Sequence, residues 1–147
     1  MLEILVGGEG SSRMKLAEVF DVLRRAEPQE DRGREFWLSS LPDWLVEEFS
    51  PELSEVEKRA WLGQWRKASL QERARLVDGR GWEVLQWTYW FGDENDQWVL
   101  SSVEADPAND MLRICLGGAD EESPIAAVKW VVERSGCHVI ASREISE

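Results

Sequence analysis

An α+β fold, with a helical N-terminal half packed on a small mixed sheet, is what this sequence predicts. Three observations carry the prediction. Apolar residues recur at three- and four-residue spacing from residue 14 to about residue 79, and β-branched and aromatic residues alternate or run together from residue 82 onward. The chain's 147 residues, 43% of them hydrophobic, suffice to bury a core.

Met1 to Val6 reads as a short strand and Gly7 to Arg13 as a Gly-rich stretch. Strand, Gly-rich loop and helix form the setting of a phosphate cradle, but no Gly-Lys-Ser/Thr follows, so the match is poor. Gly-Gly-Glu-Gly is also what a purine-rich ribosome-binding site yields when translated in frame, and it stands just before Met14. Residues 1–13 are therefore expected to be a mis-called or mobile extension, and residues 14–147 a single α+β domain.

From Met14 to Ala26, Leu16, Val19, Phe20 and Leu23 form one helix face, and Pro28 ends that helix. Glu27 to Arg34 is a charged connector. A short helix is predicted over Pro42 to Phe49, with Pro42 at a first-turn position. Ser54 and Glu57 have capping-box spacing and open a third helix, whose Leu53, Val56, Ala60, Trp61, Trp65 and Ala68 are expected to face the core. Ser69 and Glu72 repeat that spacing and start a fourth helix, which stops at Gly79 and can bury Leu70, Ala74 and Val77.

The second half is expected to hold the sheet. Trp82 to Phe91 reads as a strand by its aromatic and β-branched content, and Trp98 to Glu104 as its hairpin partner. Met111 to Leu116 completes a three-stranded antiparallel meander. Ser123-Pro124 then caps a helix through Glu133, and His138 to Ile145 forms a last strand, expected to run parallel in the sheet. Cys115 and Cys137 fall at opposite ends of their strands, so no disulfide is expected.

Charge is more informative by segment than in total. The formal net charge is -12, of which residues 82–147 carry -9 with 4 basic and 13 acidic side chains. In the predicted topology the loop with Asp93, Glu94 and Asp96, the loop with Asp120, Glu121 and Glu122, and the C-terminus share one end of the sheet, which becomes an acidic rim. A pI near 4.6 argues against nucleic acid as the main ligand. No apolar stretch reaches the roughly 20 residues of a membrane span, and no secretory signal is recognisable. Two Cys and one His leave no zinc or Cys-x-x-Cys motif. A cytoplasmic protein is expected, and the excess of Arg over Lys suits a GC-rich bacterial genome.

Trp61, Trp65 and Trp87 fit core positions among the nine Trp. Trp90 and Trp98 are expected to pair across the hairpin beside Asp93 and Asp96, as an aromatic and acidic patch for Arg-rich partners. These observations point to a non-catalytic, acidic protein-interaction domain that binds a basic partner protein in an inhibitor or immunity-type role, without metal or cofactor. The partner-binding residues would be Trp90, Asp93, Glu94, Asp96, Trp98, Asp120, Glu121 and Glu122. The alternative is a small-ligand-binding protein or an enzyme with a Trp-lined pocket and a carboxylate acid and base.

Overall fold

The sheet is built around the segment that looked dispensable. The computed structural model describes residues 1–25, 33–51, 53–92, 95–106 and 108–146, without the side chains of residues 74 and 77–80. Among these residues the order is β1 (Leu2–Gly7), α1 (Gly10–Arg25), α2 (Arg34–Ser40), α3 (Asp43–Val46), α4 (Glu55–Lys67), α5 (Leu70–Arg80), α6 (Val84–Tyr89), β2 (Val99–Asp106), β3 (Met111–Gly117), α7 (Ala126–Arg134) and β4 (His138–Glu144). The four strands form one sheet in the order β2-β3-β1-β4, and every pairing is antiparallel.

Residues 1–13 are thus not a mobile extension. β1 is an inner strand bonded on both sides, and Leu2, Ile4 and Val6 are at most 1% exposed. α1 already begins at Gly10. Between β1 and α1, Gly8 has φ +156°, and a Cβ there would stand 3.1 Å from Cys137 Sγ. The glycine of this loop therefore serves close packing against the turn before β4.

The last strand is the second correction. β3 and β4 do point the same way, as a strand-helix-strand unit requires, but β1 lies between them and runs against both. The sheet is therefore antiparallel throughout, in the split βαβ arrangement of ferredoxin-like folds, with α2 to α6 inserted between α1 and β2.

The third correction concerns Trp82 to Phe91, which is not a strand. Val84, Trp87 and Thr88 are buried and Phe91 is half-buried, at the three- and four-residue spacing of a helix face. A reciprocal capping box between Glu83 and Gln86 starts α6.

One face of the sheet, with Leu2, Ile4, Val6, Leu112, Ile114 and Leu116, packs with Leu16, Val19 and Phe20 of α1 and Val128, Val131 and Val132 of α7. Of the inserted helices, α2, α3 and α6 pack onto this core through Trp37, Leu45, Val84 and Trp87. Trp87 Nε1 donates to Ala127 O at 2.9 Å, and Phe49 packs on Trp130 with centroids 5.2 Å apart. The other sheet face carries Glu3, buried between Arg143 at 2.7 Å and Arg113 at 3.2 Å.

α4 has its predicted capping box, Ser54 with Glu57, but its apolar stripe does not face the core. No residue of α4 is buried, Val56 is 78% exposed, and Leu70 of α5 is 83% exposed. The aromatic residues are satisfied locally instead. Trp61 and Trp65 stack at 5.3 Å, and Arg73 of α5 lies over the Trp65 ring while its Nε donates to Trp65 O. Ala74 and Val77, also expected to be buried, lie outside the described side chains.

Candidate functional site

Strand register decides which loops meet. Leu2 of β1 pairs with Leu116 of β3 and Glu144 of β4, and Val99 of β2 pairs with Gly117. The connection entering β2, the connection leaving β3 and the end of β4 therefore lie at one end of the sheet. Asp96, Asp120, Glu121, Glu122 and Glu144 are all exposed there. Asp93 and Glu94 lie outside the described residues.

The turn after β3 is held by its own side chains. Ser123 Oγ accepts from Asp120 N at 2.9 Å, and Asp120 Oδ1 accepts from Glu122 N at 2.8 Å. Such Asx-type bonding fixes the turn and leaves Glu121 and Glu122 side chains directed to solvent. Glu121 N donates to Glu144 Oε1 at 3.0 Å, which ties this turn to the end of β4. The N-terminal ammonium lies at the same end and donates to Ile145 O.

Trp90 and Trp98 do pair, with ring planes 13° apart and centroids at 6.3 Å, but not across a hairpin and not at the surface. Trp98 is 2% exposed, and its Nε1 donates to Pro124 O at 2.8 Å. Buried Asn95 donates to both Trp90 O and Trp98 O, so an amide in the loop holds the two tryptophans together. Trp98 is thus a core residue, and Trp90 alone of the pair reaches a surface. Its burial has a sequence signal: Trp98 and Leu100 alternate like the inward residues of a strand.

Trp90 opens onto a groove that the sequence did not locate. It has a volume of about 960 Å³ and is walled by Trp61, Trp82, Leu85, Tyr89, Trp90 and Trp130. The helical phase of α6 explains it. With Val84, Trp87 and Thr88 inward, Leu85 and Tyr89 are left outward at 42% and 45% exposed, beside the Lys129, Trp130 and Glu133 face of α7. Read as a strand, the same segment would cover both of its faces, and no groove would follow.

No protein-family model matches the chain, and no curated protein or solved structure is significantly similar to it. The chemistry of the surfaces must therefore be taken from their own residues.

Glu133 in the groove is exposed, and Arg134 lies over Trp130 while pairing with Glu48 at 3.5 Å. Cys115 and Cys137 are free and buried at opposite ends of the sheet, and His138 is exposed. Among the described residues no three His, Cys, Asp or Glu side chains converge to hold a metal, and no helix is long and apolar enough to cross a membrane.

Proposed function

We propose that this chain is a non-catalytic protein-interaction domain that docks a basic partner protein on the acidic end of its sheet, in an inhibitor or immunity-type role. The observation that supports the reading is the register, which gathers Asp96, Asp120, Glu121, Glu122 and Glu144 from three separate segments at one end. A negative surface of this kind steers a cationic partner and fixes its orientation. Residues 82–147, with 4 basic side chains against 13 acidic, offer few cations to neutralise it internally.

Titration calorimetry with an Arg-rich synthetic peptide tests the reading. Affinity is expected to fall about tenfold between roughly 0.05 and 0.3 M salt, because exposed charges are screened over a Debye length. Reversal to Lys at Asp120, Glu121 and Glu122 should abolish binding. Binding indifferent to salt, or unchanged by the reversal, would overturn the proposal.

A second reading is favoured by the aromatic groove: a small ligand bound among Trp61, Trp82, Tyr89, Trp90 and Trp130. Gln86, Lys129 and Glu133 at its rim suit a polar compound with flat apolar faces, such as a sugar. Trp130→Ala would weaken such a ligand and leave the Arg-rich peptide unaffected.

A further inference from the structure

Among the described residues β2 is an edge strand, bonded to β3 on one side only. Its outer row of backbone N–H and C=O groups is a template for a further strand, and edges of this kind are usually blunted with Lys, Pro or a bulge. Val99–Asp106 contains no Lys and no Pro. It has one irregularity, a register shift between Leu100 and Ser102, which leaves Ser102–Asp106 as a regular run.

Beside that run the helical layer leaves a slot. It has a volume of about 830 Å³ between α1 and β2, and Met14, Ala17, Val103, Ala105 and Leu112 form its apolar floor and walls. Charged side chains of α1, Lys15, Glu18, Asp21 and Arg24, line its outer side. Val103 pairs with Ile114 and Ala105 with Leu112, so both lie on the helix-facing side of the sheet, where Ala105 is nonetheless exposed. Met14 on the opposite wall is 74% exposed. On the alternate positions, Glu104 and Asp106 lie on the other sheet face, opposite Arg113 and Met111. Arg113 reaches Glu104 only at 3.9 Å and is shared with Glu3, and the Glu104 side chain is 64% exposed.

We propose that β2 accepts an extended segment of a partner protein as a fifth strand, its small apolar side chains entering the slot beside α1 and its alternate positions presenting Lys or Arg to Glu104 and Asp106. The pleat dictates this alternation, because successive side chains of an added strand point to opposite faces. Charge disfavours a second copy of the chain. β2 paired with itself would bring Glu104 and Asp106 against a strand that has no cation, and like charges across a strand pair are destabilising. None of Asp120, Glu121 and Glu122 belongs to this surface, so the inference stands or falls separately from the acidic-end reading.

The test uses a fluorescein-labelled peptide of about nine residues alternating Val and Lys, followed by anisotropy with the full chain. Saturable binding is expected, with amide exchange slowed at residues 102–106. Replacing the peptide's Lys by Glu, or introducing Glu104→Lys with Asp106→Lys, should weaken it about tenfold. Ala105→Trp should fill the slot and weaken it comparably, while reversal of Asp120, Glu121 and Glu122 to Lys should not. Absence of saturation below about 1 mM, equal binding of the Val-Glu peptide, or no change with Ala105→Trp would overturn the proposal. Loss of binding only on reversal at Asp120, Glu121 and Glu122 would place the peptide on the acidic end and leave that reading standing alone. A dimer in sedimentation that Ala105→Trp dissociates would assign the edge to a second copy, and so also overturn the proposal. Should the variants misfold, exchange at residues 102–106 of the unaltered chain decides by itself.

Discussion

Asp106 and Asn109 show how one side-chain bond sets a charge. Asn109 Nδ2 donates to Asp106 Oδ2 at 2.9 Å, and chiefly this bond holds the Asp106 carboxyl below its ordinary range. A lowered folded-state value contributes stability above the ordinary Asp range, and that contribution is lost as pH falls through the lowered value. Asn109→Ala should therefore move the Asp106 titration upward in an NMR pH series. An unmoved titration would show that the backbone donors of the turn suffice. Glu3 makes the complementary point, because no local pattern marks a carboxylate in a strand as buried. It is 4% exposed, and it is tolerated there because Arg113 and Arg143 converge on it from the strands on either side. Trp98 likewise carried a correct local signal for burial, yet its hydrogen bond to Pro124, distant in sequence, is what accommodates the indole N–H.

Elements with their own signals were legible. α4 begins where Ser54 and Glu57 say it should, and β3 and β4 begin at the predicted Met111 and His138. α6 was misread because its residue types favour strands while its spacing is helical, and at 6 residues it is too short for periodicity to outweigh composition. A Glu at the N-cap in place of Ser or Thr also concealed its capping box. α4 presents the opposite case, a correct helix with an incorrect environment. Since no residue of α4 is buried, Ser54→Ala should act locally. We expect a loss of about 1 kcal/mol in helix stability, seen as faster amide exchange over residues 57–60, with the global Tm shifted by less than about 2 °C. A larger fall in Tm would mean that the α4–α5 segment unfolds with the core.

At the scale of the whole molecule, β1 is the element on which the sheet depends. It alone bridges β3 and β4, and it places Leu2, Ile4 and Val6 in the core. Burial of three such side chains is worth about 5 to 9 kcal/mol, comparable with the whole stability of many domains. Deletion of residues 1–13 should therefore abolish the cooperative unfolding transition, measured by circular dichroism against denaturant. A truncated protein that still unfolds cooperatively would sink the assignment of β1 as a structural strand. The acidic end depends on the same topology. Its loops were expected to meet through a meander that does not exist, and they meet instead because β2 starts, and β3 and β4 end, on the side where β1 begins.

The sequence by itself determined what is local: where α4 and α5 begin at their Ser caps, where β2, β3 and β4 run, and that the negative charge belongs to the second half. Tertiary structure decided what is not local, namely that β1 is the inner strand, that β4 is antiparallel, that Pro124 O receives the Trp98 indole N–H and that α4 stands outside the core. The physical reason is that periodicity and capping act over a few residues. Strand pairing and burial depend instead on which distant segment supplies the missing hydrogen bonds and apolar surface, and for this sheet the supplier was the Gly-flanked segment at the start of the chain.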